Sequence, residues 1–181
     1  MGEIRFSRFI GKWVWNELEI IYTRMWFRFF HTMHVILNIS DSDKHFSTAI
    51  EEYQKRLWKD VIFDTLKPFK DDNHQLVIQK ETESVIKTIE KKYQNYKKIL
   101  LAKEWKLLTT EEIWKEIYSQ NCVFIIWWPY GLNRDELKSK FSDLKEISFG
   151  AITMPHWLAK LVLIEQIYRC KTIQIWKSYH Y

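Results

Sequence analysis

Apolar residues recur at offsets of three and four along Phe46, Ile50, Tyr53, Leu57 and Val61, and again along Val85, Ile86, Ile89, Tyr93, Tyr96 and Leu100. Offsets of that size place side chains on one face of a helix. The first series predicts an amphipathic helix that follows a turn at 40–43 and ends before Pro68, because the residue preceding a proline is pushed out of the helical region. The second favours a helix over 82–104, with a strand as the alternative. Thr109 and Thr110, followed by Glu112, form an N-terminal capping signal for a short helix through Ser119. Asn133 can cap another over 134–144, with Leu137, Phe141 and Leu144 as its apolar side. Strands are expected where β-branched and aromatic residues run without helical spacing: MHVILNI at 33–39, QLVIQ at 75–79, and 4–10 and 12–16 near the start, followed by a helix over 17–31. The run NCVFIIWW is broken by Pro129 and Gly131.

The most apolar helix opens at Thr153 and Pro155. Trp157, Leu158, Leu161, Ile164 and Tyr168 line one side of it, Val162 and Leu163 widen the stripe, and Ala159 leaves a small notch beside Leu158. Such a face is buried against its own domain, or part of it enters a groove on another protein. The elements together predict an α+β fold, a mixed antiparallel sheet with packed helices. An α/β lobe is expected over 1–121 and a smaller helical lobe over 122–181.

Composition narrows the function classes. A chain of 181 residues, 46% hydrophobic and 17% aromatic, buries a real core and is not disordered. Ten Trp against four Gly and three Pro points to some rings at binding surfaces. The excess of 28 Lys+Arg over 23 Asp+Glu, net +5, favours anionic partners. Cys122 and Cys170 are too few for a disulfide framework, and no cleavable leader precedes the folded region, which fits a reducing, intracellular setting. Apolar runs such as VFIIWW at 123–128 fall short of the ~18 residues of a membrane span.

Phosphate-cradling glycine loops, nucleophile elbows and His/Glu metal helices are missing from the sequence. Cys122, His156, Cys170 and His180 are too dispersed for zinc-ligand spacing, and the paired acids Glu51/Glu52, Asp71/Asp72 and Glu111/Glu112 are surface charges; no cofactor is expected. The first 34 residues interleave Trp13, Trp15 and Trp26 with Arg24, Arg28, His31 and His34. Rings that stack on unpaired bases and guanidinium groups that neutralise phosphates are what single-stranded RNA binding needs. The same pattern also suits an amphipathic element whose arginines reach out to water.

Three blocks carry a family resemblance: WVWNE at 13–17 followed by RMWFRFFHTMH at 24–34; FIIWWPYGLNRDELKSKF at 124–141; and WLAKLVLIEQ at 157–166. In this order they resemble the lentiviral virion infectivity factors (Vif), in a divergent, non-primate form. Met154, Pro155 and His156 stand where that family's elongin-binding box begins Ser-Leu-Gln. The resemblance implies a viral accessory adaptor rather than an enzyme. Such an adaptor joins elongin B/C and a cullin ubiquitin ligase to cytidine deaminases of the APOBEC family, and it also contacts RNA and a stabilising host protein. It would work in the host-cell cytoplasm and enter the virion. Its elongin-binding helix would present Met154, Trp157, Leu158, Ala159, Leu161, Val162 and Leu163. Its deaminase- and RNA-binding surface would use Trp13, Trp15, Arg24, Trp26, Arg28, His31 and His34. A second reading is a small ribonuclease of the HEPN type, since Arg28 and His34, and Arg24 and His31, have similar Arg-to-His spacing. A third is a basic, aromatic RNA- or protein-binding module without catalysis.

Overall fold

Two uninterrupted runs of buried residues, HVILNI and CVFII, form the middle of a parallel sheet. The structure, a computed structural model, describes residues 32–39, 46–102, 107–126, 130–175, 177 and 179. The residues from Met33 to Tyr181 belong to one unit. Its elements are β1 (His34–Ile39), α1 (Ser47–Leu57), a 3-10 turn (Trp58–Asp60), β2 (Val61–Leu66), α2 (His74–Lys92), β3 (Lys97–Leu101) and α3 (Thr110–Ile113). A π-helical turn (Trp114–Tyr118), β4 (Cys122–Ile126), α4 (Arg134–Lys140), β5 (Lys145–Ile147) and α5 (His156–Gln174) complete the order.

The strands lie in the order β2-β1-β4-β3-β5, and all four pairings are parallel. The expected combination of a sheet with packed helices holds, but the strands run parallel where antiparallel pairing was expected. A helix follows each strand and carries the chain back along the sheet, so the next strand enters in the same direction. Strands on either side of residue 121 share this one sheet.

Both faces are covered, which is why β1 and β4 show continuous apolar runs rather than alternation. On one face Ile50 and Leu57 of α1, Ile113 and Ile117, and Leu163, Ile164 and Ile167 of α5 pack with Ile36, Ile99, Phe124 and Ile147. On the other, Val85, Ile86 and Ile89 of α2 and Leu137 and Phe141 of α4 pack with Val35, Leu37, Leu100, Val123 and Ile125.

Several element boundaries differ from those predicted. Residues 75–79 form the first turns of α2, not a strand, because the Asn73 side chain accepts hydrogen bonds from the backbone N–H groups of Gln75 and Leu76 at 3.0 and 3.3 Å. That helix stops at Lys92 and the chain re-enters the sheet at Lys97, so Tyr96 and Leu100 fall at helical spacing without belonging to it. The helix expected to run through Val61 ends at Leu57, where Trp58 takes φ +48° and the strand-favouring run VIFDTL follows. Thr109 makes the expected capping box with Glu112, but the helix it starts becomes a π-turn after Ile113. Asn133 caps α4 as expected, and that helix ends at Lys140. The strands expected over 4–10 and 12–16 and the helix over 17–31 lie outside the described residues.

Candidate functional site

The chain leaving β4 turns to α4 on one face of the sheet, whereas the chains leaving β3 and β5 turn to α3 and α5 on the other. Divergence of neighbouring connections at the carboxyl ends of parallel strands opens a crevice there. It is a cleft of about 580 Å³, within the usual range for small-molecule sites. Leu101 and Ala102 at the end of β3, Ile126 of β4 and Ile147 of β5 supply its apolar floor. Tyr130 and Gly131 border it on the α4 side, and the segment from Ser148 through Gly150 to Met154 closes it on the other. Pro155, His156 and Ala159 bring the first turn of α5 to its wall.

Main-chain geometry shapes this cleft more than charged side chains do. The Ala102 N–H donates to the Ile147 carbonyl at 2.8 Å, joining the exits of β3 and β5. The Gly150 N–H donates to Ser148 Oγ at 3.1 Å, and the Ser148 hydroxyl donates to the Gly150 carbonyl at 3.0 Å, which closes a tight turn. Gly150 has φ +142° and Gly131 φ +83°, conformations that only glycine adopts without strain. The Pro155 carbonyl accepts from the N–H groups of Leu158 and Ala159, both at 3.0 Å, so α5 begins at the cleft. Its free N–H groups favour an anionic group there.

On the rim, the half-exposed Tyr130 stacks on His74 of α2, ring centroids 4.1 Å apart. The Asn133 N–H donates to Thr82 Oγ1 at 2.9 Å, so α2 holds the loop after β4 at both places. β5 is held by the buried Glu146, whose carboxylate accepts from Arg134 Nε at 3.2 Å and Nη2 at 2.7 Å, with Lys138 Nζ at 3.3 Å. Burial pushes this carboxyl up, yet Arg134 and Lys138 outweigh it and hold it below the usual carboxylate range.

Few of the residues singled out from sequence meet at this cleft. Met154 and Ala159 line it, and the notch beside Leu158 is part of its wall. Trp157 stacks on Phe46, centroids 4.5 Å apart. Leu163 is fully buried and Leu161 packs against the same core, while Leu158 and Val162 are half-buried. His34 starts β1 at the opposite end of the sheet, enclosed against Tyr118 and Phe124 at centroid distances of 4.9 and 5.9 Å. Burial pushes its imidazole down to about 3, so it is neutral and out of reach of RNA. Trp13, Trp15, Arg24, Trp26, Arg28 and His31 lie outside the described residues. Cys122 and Cys170 are buried, and burial pushes both thiols up to about 12, which keeps them un-ionised. Sequence reasoning missed Tyr130, Ser148 and Gly150. Scarcity was the available signal: in a chain with four glycines, two stand at the carboxyl side of the strands.

The sequence model of the family described as "Predicted SPOUT methyltransferase" matches residues 32–180. Among curated relatives, the ribosomal RNA large subunit methyltransferase H of Lactococcus lactis subsp. cremoris (strain SK11) is 34% identical over 149 residues, 76% of this chain and 92% of that protein. The protein of the same name from Lactobacillus acidophilus is 34% identical over 152 residues with the same coverage. That of Mycoplasmopsis pulmonis is 29% identical over 147 residues, 80% of this chain and 97% of its own.

These matches overturn the resemblance to Vif and what it implied. The non-enzymatic adaptor, its elongin B/C, cullin and APOBEC partners, and its place in host cytoplasm and virion all fall with it, as does the ribonuclease alternative. The physical reason is visible in two of the blocks. WLAKLVLIEQ is apolar because α5 covers its own sheet through Leu163 and Ile164, and FII at 124–126 is apolar because it lies in the central strand β4. A match over nearly the whole described unit, on a parallel sheet with its cleft at the carboxyl ends, shows that this chain belongs to the SPOUT methyltransferase family.

Proposed function

We propose that this protein is an enzyme that methylates ribosomal RNA of the large subunit, with the methyl donor held in the cleft at the ends of β3, β4 and β5. The observation that carries this reading is the cleft itself, an apolar slot of about 580 Å³ edged by two glycine turns and a helix start. The relatives, each a ribosomal RNA large subunit methyltransferase H, suggest the substrate class.

The donor implied by a methyltransferase fold is S-adenosylmethionine, and the lining fits it. Leu101, Ile126 and Ile147 offer apolar surface to a flat purine, the turns at Gly131 and Gly150 allow close main-chain approach, and the start of α5 suits a carboxylate. Such a donor supplies a methyl group on a positively charged sulfur and leaves as a neutral thioether. The chain's own part is to exclude water, to hold the cleft's walls through the Ala102–Ile147 bond, and to receive the target nucleotide beside Tyr130 at the rim. His156 stands on the same wall, where an imidazole can accept the proton that a methylated ring nitrogen loses.

Purified protein incubated with methyl-labelled donor and bacterial large-subunit ribosomal RNA should transfer label to the RNA. Donor binding without transfer to any ribosomal RNA, naked or within ribosomes, would overturn the substrate reading.

A further inference from the structure

Trp58 is 73% exposed, and its backbone sits at φ +48°, ψ −109°. Both features work against stability, since a large apolar ring faces water and a bulky side chain occupies a region that L-residues rarely enter. Among the described residues it is the one non-glycine with positive φ. A strained, exposed aromatic residue is a signal of function.

Its surroundings indicate the ligand's chemistry. Lys59 Nζ lies 4.7 Å from the centre of the ring. Lys55 and Arg56 occupy the last turn of α1 beside it. Of the nearby acids, Glu52 is paired with Arg56 at 2.9 Å and Asp60 with Lys171 at 2.6 Å, while Glu51 lies one turn before Lys55. With Glu51 set against Lys55 and Lys59, one positive charge remains in excess, and the ring, covered by Lys59 on one face, exposes the other. An open π-face flanked by cations matches an unpaired base between two phosphates.

We propose that Trp58 is a stacking platform for an unpaired RNA base, with Lys59 and Lys55 meeting the adjoining phosphates. The proposal rests on the RNA-methylating reading above. Trp58 opens the turn that leads into the amino end of the edge strand β2, whereas the cleft lies at the carboxyl ends of β3, β4 and β5. This contact therefore adds affinity for RNA at a distance from the methyl donor.

The test uses the full chain with Trp58→Gly, Trp58→Phe and Lys59→Glu. Fluorescence anisotropy with a labelled single-stranded RNA oligonucleotide at low and physiological salt is paired with thermal melts, donor titrations and the KM for ribosomal RNA. Trp58→Gly should raise Tm by relieving the backbone, and it should weaken RNA binding about tenfold, the effect of losing one base–aromatic stack. Its KM for RNA should rise while its donor affinity stays as in the parent. Trp58→Phe should keep much of the RNA binding, and Lys59→Glu should flatten its salt dependence. Unchanged RNA affinity in Trp58→Gly, in a parent protein that methylates RNA, would sink the platform and leave the enzymatic reading intact. A lower Tm in Trp58→Gly would make the indole structural and overturn the proposal. Normal binding to naked RNA with loss of binding to intact ribosomes would assign the indole to a protein contact and also overturn it. Failure of the parent to bind or methylate RNA would end both readings.

Discussion

Asp64 and Glu146 stand at opposite edges of the sheet in one register row, Asp64–Leu37–Ile125–Leu100–Glu146. The three central residues are buried under α2 and α4, and each carboxylate meets cations or hydroxyls from the helix above it. Asp64 accepts from Tyr93 Oη at 2.7 Å and Lys92 Nζ at 2.9 Å, and Glu146 from Arg134 and Lys138. An apolar row thus ends in a charge on each side, where the ends of helices can reach it.

The two edges differ in burial, with side-chain exposure of 17% for Asp64 against 1% for Glu146. Arg134→Ala should therefore cost about 2 kcal/mol by chemical denaturation, below the range for fully buried pairs because Arg134 is partly solvated and Lys138 remains. Lys92→Ala should cost under about 1 kcal/mol, since Lys92 is half exposed and Tyr93 keeps its bond. Equal losses at both edges would contradict this ranking.

Acid sensitivity should trace to His34. Among the described residues neither ring nitrogen has a hydrogen-bond partner, and burial pushes the imidazole from its ordinary 6.5 to about 3. Below pH 6.5 the unfolded chain takes up a proton that the folded chain refuses, so this stability is complete above that value and is lost as pH falls toward 3. Between pH 7 and pH 5 the loss should be about 2 kcal/mol. A His34→Leu variant should show a flatter stability profile over that interval, and a profile as steep as the parent's would assign the acid sensitivity elsewhere.

Gly150→Ala places a methyl group in open space, with Ile152 Cγ1 the nearest atom at 3.9 Å, so its cost is backbone strain at φ +142° rather than collision. A loss of about 1 to 2 kcal/mol in thermal stability is expected. Calorimetry should also find weaker donor binding, because the Ser148–Gly150 turn is one wall of the cleft. Full donor affinity in this variant would move the donor away from that turn.

Ala159→Leu adds three carbons on the cleft wall from the first turn of α5. Donor affinity should fall at least about tenfold, as expected when bulk fills a preformed pocket. A thermal melt accompanies the titration, because Ala159 also packs against the core and the bulk added there should lower Tm. Unimpaired methyl transfer would show that the donor does not approach α5.

Local signals in the sequence determined local outcomes. Thr109 and Asn133 start their helices as their side chains dictate, Pro155 opens α5, and the β-branched run at 33–39 is a strand. Each of these depends on atoms within a few residues of one another. Only the tertiary structure decided that the strands pair in parallel, that Leu163, Ile164 and Ile167 are the inward side of a helix apolar nearly all round, and that Ala102, Gly131 and Gly150 meet at one cleft. The buried strand 97–101 carries no alternation to announce it, and the edge strand 61–66 buries little beyond Val61, so both continue the helical spacing of the residues before them until their backbones find partners. Those partners lie far along the chain: His34 pairs in register with both Val61 and Cys122. The site follows from that closure, because the cleft exists only where connections from neighbouring strands part to opposite faces.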